Sequence, residues 1–309
     1  MNWKRISWLV AIETAILMVG STLILPGGED LQRYYVPFAA GCVKCGFMPH
    51  PAQWLLWPLA LIPTRIIWTV WTAVSITGWL VICRYTQVNP AILMLSFPMF
   101  GQWWLGQVDV LVCVGLVLAM HTRNPYARGV GIALALVKPQ LSIIPIIYLL
   151  LGDDQWLDTL IVPVAAALTS VAMFGVLWPL DWITNTSSIP EHAWRLASGD
   201  VWKFALGQIW APLLFSKRGE RINASIMLSA MATPFTSVYS YVLMLATVKC
   251  PWWTIPLSFI WVLAYPIMGA SSMRLAWILP ASLLAWTVYG LKHETISTNS
   301  NCYISTAQR

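Results

Sequence analysis

Lys138 interrupts an apolar run, Gly129-Val-Gly-Ile-Ala-Leu-Ala-Leu-Val-Lys138-Pro139-Gln140-Leu-Ser-Ile-Ile-Pro145. An ammonium group at membrane depth costs about 3 kcal/mol on insertion scales, so a chain that keeps one there uses it, by default in a pathway for charge or in a reaction site. Asp109, in Gly106-Gln107-Val108-Asp109, opens another apolar stretch and raises the same question. Nearer the N-terminus, Glu29-Asp30 is followed by Arg33-Tyr34-Tyr35, and Phe47-Met48-Pro49-His50-Pro51 leads onward, so acids, an arginine and aromatics share one loop. Arginine grips anionic oxygens through paired N–H groups and lysine acts on them as a point charge. Each residue also has a plainer use. Glu29 or Asp30 can be solvated loop acids, Arg33 can snorkel to lipid headgroups, and Tyr34 and Tyr35 can anchor at a membrane interface. Lys138 and Asp109 can simply pair, and Gln107 and Gln140 can bridge helices by hydrogen bonds.

These residues must be held by apolar elements, because 58% of the 309 residues are hydrophobic and only 10% are charged. A soluble domain carries about 25% charge. The composition predicts an all-α, polytopic transmembrane bundle, with residues 1–291 as one membrane-embedded domain and 292–309 as a polar C-terminal tail. The net charge of +6 is spread over short loops, where it reports orientation in the membrane and not nucleic-acid binding. Lys4 and Arg5 precede Ile6–Leu25, which is too long for a signal-peptide core and reads as a retained first transmembrane helix with a cytoplasmic N-terminus. Pro26–His50 then faces outward. Short runs follow, Pro51–Pro63, Ile66–Cys83 and Asn89–Trp104 leading into Gly106–Met120. Several fall below the roughly 20 residues a crossing needs, which predicts broken or re-entrant helices around an internal cavity.

His121–Arg128 reads as a basic cytoplasmic loop, and Lys138-Pro139 as a kink or hairpin, since proline removes a helix hydrogen bond. Leu157–Leu180 is long enough to cross, Asp181–Lys203 reads as a second outer loop, and Lys217-Arg218-Gly219-Glu220-Arg221 marks the cytoplasm. Thr233-Pro234-Phe235-Thr236 breaks the next stretch, before final spans at Trp252–Gly269 and Leu275–Leu291. The twenty tryptophans read mainly as an interfacial belt. No internal repeat, Walker loop, histidine pair with metal-ligand spacing or G-x-S-x-G elbow is present.

Cys42-Val43-Lys44-Cys45 is a CxxC in the outward segment, while Cys83, Cys113, Cys250 and Cys302 are scattered. Zinc would need two more ligands with only His50 close by, heme attachment would need histidine where Gly46 stands, and a membrane thiol relay would need a second cysteine pair. A local disulfide bracing the loop is the expectation on an oxidising face.

Taken together, the Glu29–Tyr35 loop, Met48-Pro49-His50-Pro51, Gly106-Gln107-Val108-Asp109 and Lys138-Pro139-Gln140 resemble, in order, the motifs of glycosyltransferase family 87. These are polytopic enzymes of the GT-C superfamily that take sugars from polyprenyl phosphate. The resemblance covers roughly Asp30 to Leu150, with Met48-Pro49-His50-Pro51 and Asp109 as variants of a Tyr-Pro-Pro-like helix start and a Gly-Gln-x-Asn step. A weaker likeness continues at Ala232–Tyr239, where Ser237 and Tyr239 stand in a segment that members often write Ser-Pro-x-x-Trp followed by histidines. The resemblance implies a base for the acceptor hydroxyl, with Asp30 the candidate, and cations for the departing phosphate, with Arg33, Lys138 and His50 the candidates. Glu29, Tyr34, Tyr35, Gln107, Asp109, Gln140 and Tyr239 become candidate substrate contacts. It implies a polyprenyl-phosphate sugar donor with mannose the first guess, a lipid or glycan acceptor, a groove for the prenyl tail, and no ATP, cofactor or metal. The bacterial cytoplasmic membrane, with chemistry on its external face, is the implied location.

Two other classes fit the same charges. In a transporter they would line a path at mid-membrane, and in a non-catalytic membrane subunit or degenerate paralogue they would hold helices or a partner chain.

Overall fold

Proline and glycine cut this apolar chain into helices of unequal length. The computed structural model describes residues 3–187, 201–233 and 237–289, and among the described residues every regular element is helical. Helix α1 is Trp3–Ser21 and α2 is Thr64–Thr86, which starts directly after Pro63. Between them lie a single π turn, Leu31–Tyr35, one α turn, Val36–Ala39, and the short pieces Ala52–Leu56 and Trp57–Leu61. Then come α3 (Phe97–Leu105), α4 (Asp109–His121), α5 (Pro125–Ala135), α6 (Pro139–Leu151), α7 (Trp156–Phe174), α8 (Trp178–Ser187), α9 (Arg218–Ala232) and α10 (Val242–Thr247).

Among the described residues two helices, α2 and α7, are long and apolar enough to cross a membrane, and a bent pair, Ile260–Leu275 with Ile278–Tyr289 at 54°, would be a third if it forms one span. The first helix, expected over Ile6–Leu25, ends at Ser21 and carries Lys4, Arg5 and Glu13 within it. Helix α7 shows an inverted burial pattern: Thr159 and Ser170 face the protein, while Leu157, Ile161, Val164 and Leu168 are exposed. Small polar residues inward and branched apolar residues outward are what a hydrocarbon solvent selects. The same logic brings α4 and α5 together, because a Cβ on Gly115 would stand 2.5 Å from the Gly131 carbonyl oxygen and one on Gly131 2.6 Å from that of Gly115.

Several expectations are corrected. His121–Arg128 is not a loop throughout: the Asn124 side chain accepts from the Tyr126 and Ala127 amides at 2.9 and 3.1 Å, Pro125 takes the first helical position, and Arg128 is buried in α5. Leu157–Leu180 is not one span, since the helix stops at Phe174, Gly175 takes φ 83°, and a new helix begins at Trp178. Asp181–Lys203 opens as the rest of that helix and closes within a helical turn at Val201–Gly207, while 188–200 lie outside the described residues. The span expected at Trp252–Gly269 is divided at Phe259 into Thr254–Ser258, which contains Pro256, and Ile260–Met268, which contains Pro266 and ends at Gly269. Pro234–Thr236, Cys302 and the expected tail lie outside the described residues.

Among the described residues four tryptophans lie in the core, apart from the belt expected of most of the twenty. Trp68, Trp71, Trp79 and Trp103 are core residues. Trp68 donates its indole N–H to the Trp103 carbonyl at 3.0 Å, Trp71 to that of Gln107 at 3.0 Å and Trp103 to that of Met18 at 2.8 Å. Short helices leave carbonyls unpaired at every break, and buried indoles supply donors there that lipid cannot.

Candidate functional site

Four breaks in the helical structure converge on one buried polar cluster. Asp30 sits immediately before the π turn Leu31–Tyr35, whose last residue, Tyr35, is buried. Gln107 lies in the link between α3 and α4, and Asp109 is the first residue of α4, where the helix dipole favours a carboxylate. Lys138 occupies the link between α5 and α6, extended at φ −129° and ψ 81° as the residue before proline must be. Tyr239 and Ser240 belong to the 3-10 turn Val238–Tyr241.

Gly106 makes this convergence possible. It ends α3 at φ 71°, and a Cβ there would stand 2.7 Å from that of Leu31. Any other residue would push the Gln107 link away from the Asp30 loop.

The hydrogen bonds leave little freedom. The Lys138 ammonium donates to Gln107 Oε1 at 2.8 Å and to Asp109 Oδ1, and it lies 5.7 Å from the ring centres of both Tyr35 and Tyr239. Gln107 Oε1 also accepts from the Tyr35 hydroxyl at 2.6 Å, so its Nε2 turns outward and donates to Asp30 Oδ2. The second Asp109 oxygen accepts from Gln102 Nε2 and Ser240 Oγ, each at 2.8 Å. Asp109 is therefore fully engaged and 0% exposed, while Asp30 is only half-buried at the rim. Burial raises the Asp30 carboxyl above its ordinary 3.8, Lys138 and the Gln107 bond pull it back, and Glu29 and Asp109 add to the rise. A carboxylate so placed is a stronger base than a solvated one.

The cluster thus gathers Asp30, Tyr35, Gln107, Asp109, Lys138 and Tyr239. It does not gather the others. Glu29 and Arg33 form an exposed pair at 3.5 Å, and the Arg33 guanidinium lies 5.5 Å from the Tyr34 ring centre. Gln140 Oε1 is buried without a protein partner. His50 packs against Phe174 and Trp178 at ring distances of 5.4 and 5.5 Å, with Nδ1 buried and unpaired. Burial lowers its imidazole below the usual 6.5 against the pull of Asp181, so His50 is neutral near pH 7 and offers a hydrogen bond, not a charge. Cys42 and Cys45 are disulfide-bonded, with Cα atoms 5.3 Å apart. Asn185 of α8 donates to the Gly46 carbonyl at 3.0 Å, and Trp182 to that of Phe47 at 3.0 Å, tying this loop to α8.

Beside the cluster runs an apolar groove of about 500 Å³ between the Pro49–Leu55 segment, α5, α7 and α8. Val137 and Pro139, on either side of Lys138, and Pro49 and Pro51, on either side of His50, line it.

Sequence reasoning missed Gln102 and Ser240, which fix Asp109, and missed a second buried ion pair, Arg128 with Asp153. Thr159 Oγ1 donates to Asp153 at 2.8 Å, the Gln155 amide does so at 3.1 Å, and Arg128 donates to the Thr122 carbonyl at 3.1 Å. Burial pushes the Asp153 carboxyl up, and these donors outweigh it and hold it below its usual value. The signal available was Arg128 lying one helical turn past a clear Asn-Pro helix start. No family model, curated protein or solved structure matches this chain.

Proposed function

We propose that this protein is a polytopic membrane glycosyltransferase similar to glycosyltransferase family 87. It would move a hexose, mannose as first candidate, from a polyprenyl-phosphate donor to a hydroxyl of a lipid or glycan acceptor, on the external face of a bacterial cytoplasmic membrane and with the N-terminus in the cytoplasm. The observation that carries the reading is the link Asp30–Gln107–Lys138: a rim carboxylate of raised proton affinity, fixed through one amide to a buried cation, beside an apolar groove.

In this reading Asp30 accepts the proton of the acceptor hydroxyl as that oxygen bonds to the anomeric carbon, and the bond to the donor phosphate oxygen breaks with its electron pair leaving on phosphate. Phosphate is already a good leaving group and needs no general acid. Arg33, on the same turn as Asp30 and exposed, is the guanidinium able to swing onto the phosphate. Lys138 acts one step back, through the field it sets at Asp30 and through Gln107. The groove suits a prenyl chain, with His50 at its edge as a neutral donor. The experiment is transfer of radiolabelled sugar from polyprenyl-phosphate donors by the purified protein: a new glycosidic product is expected, and its absence over a broad set of sugars and acceptors would remove the reading.

A second reading has its own observation. Lys138 and Asp109 satisfy each other so fully that the cluster also fits a non-catalytic scaffold whose charges only lock helices together. A scaffold would keep its fold and show no transfer.

A further inference from the structure

Helix α2 turns a polar stripe into the apolar interior. Thr72, Ser75 and Trp79, three and four residues apart and so on one face of the helix, line a small cavity opposite Gln102 of α3, with Ile76 and Met99 among its apolar walls. Four polar atoms of these residues, Thr72 Oγ1, Ser75 Oγ, Trp79 Nε1 and Gln102 Oε1, are buried and have no hydrogen-bond partner among the described residues. The four residues are between 0 and 9% exposed, so bulk solvent does not serve them. Buried polar groups are nearly always satisfied, and four orphans around one cavity point to a ligand they share. Each has a defined need. Both N–H groups of Gln102 are engaged, one by Asp109 Oδ2 at 2.8 Å and the other by the Tyr239 carbonyl at 3.1 Å, so its Oε1 requires a donor. The Trp79 indole has a donor and no lone pair, and so requires an acceptor, while the two hydroxyls serve in either sense. The cavity measures about 10 Å³, which is room for one water.

We propose that this cavity is the binding site of one internal water, which accepts from the Trp79 indole, donates to Gln102 Oε1 and exchanges hydrogen bonds with the Thr72 and Ser75 hydroxyls. A cation is unsuited, because the indole would turn its hydrogen toward it, and an anion is unsuited, because Gln102 Oε1 would face it. The water gives α2 a part in the buried charge pair. With Oε1 held by the water, the Gln102 amide keeps an N–H on Asp109, whereas the reverse amide orientation would set a carbonyl oxygen against the carboxylate. Thr72, Ser75 and Trp79 thereby help to orient a carboxylate to which they make no bond. The inference needs no sugar transfer and holds for a scaffold as well as for an enzyme.

The first test is an experimental density map of the full wild-type chain at a resolution that shows ordered waters. One peak is expected at hydrogen-bond distance, about 2.7–3.2 Å, from at least three of the four atoms. No peak, or one that reaches fewer than three of them, would overturn the proposal, as when the hydroxyls turn instead onto the carbonyls one helical turn back, that of Trp68 for Thr72 and of Trp71 for Ser75. So would a peak about 2.0–2.6 Å from the oxygens, the spacing of a metal ion. The second test reads a sign. Thr72→Val keeps the β-branched shape and removes the hydroxyl, and its thermal melt is set beside that of Thr77→Val, the same exchange on the exposed face of α2. In a hydrated site the change takes a hydrogen bond from the water, and the melting temperature is expected to fall below that of Thr77→Val. In a dry one it removes an unpaired buried hydroxyl and relieves a penalty, so a melting temperature equal to or above that of Thr77→Val would overturn the proposal.

Discussion

Gln107 stands between Lys138 and Asp30 with its amide orientation fixed by its neighbours, because the ammonium and the Tyr35 hydroxyl both donate to Oε1 and leave only Nε2 for the Asp30 carboxylate. A charge buried between α5 and α6 is thereby felt at a half-buried acid in the first loop. The pair never touch, yet neither is independent of the other.

Gln107→Leu removes this link and leaves Lys138 with one acceptor fewer. The variant is expected to lose about 1–3 kcal/mol of stability, the usual penalty for a buried donor or acceptor left unpaired. The acid limb of its pH–rate profile should move to higher pH, because Asp30 loses a bond that favours its charged form. Thermal melts and rates across pH check both.

Lys138→Met alone strands the buried Asp109 carboxylate, and Asp109→Leu alone strands the ammonium. Each is expected to destabilise by about 3–5 kcal/mol, and the double variant by less than the sum, since removing both charges relieves the uncompensated one. A double-mutant cycle on unfolding free energy reads the coupling. In the proposed enzyme the double variant folds and is still inactive.

The raised carboxyl of Asp30 has a definite sign in stability. A carboxyl that holds its proton more tightly folded than unfolded contributes no penalty below its unfolded value and a growing one as pH rises through its folded value. Asp30→Asn is therefore expected to melt at or above the wild-type temperature near pH 7, with the gap closing on the acid side. Melting curves across pH, wild type beside variant, decide it.

Asp153 behaves in the opposite sense. Its carboxyl is held low by Arg128, Thr159 and the Gln155 amide, so its contribution is present above the unfolded value and is lost as pH falls through the folded one. Asp153→Asn leaves the buried Arg128 uncompensated and should cost about 3–5 kcal/mol at neutral pH. Acid should then destabilise the variant less steeply than wild type.

Much of the architecture was legible in the residues. Prolines and glycines marked the breaks at Pro63, Gly106 and Lys138-Pro139, because missing N–H groups and positive φ act locally. The buried charges announced themselves by sitting in apolar runs. What stayed hidden was which break meets which. Gln102 and Ser240 converge on Asp109 from positions 7 and 131 residues away, and nothing local in Phe97–Leu105 or Val238–Tyr241 encodes that meeting. The four core tryptophans could not be told from the rest for a related reason: an indole that satisfies a helix-end carbonyl inside the protein has the same neighbours in sequence as one at a lipid interface. Arg128 misled because a basic residue near a turn reads as solvated until its partner, Asp153, is brought to it.

The most direct test compares wild type with Asp30→Asn in single-turnover transfer from a polyprenyl-phosphate sugar, with donor binding measured on the same preparations. The account predicts that the variant folds and binds donor as wild type does, while transfer falls about 10²–10⁴-fold, the contribution expected of a positioned general base. Transfer by Asp30→Asn at the wild-type rate would contradict it.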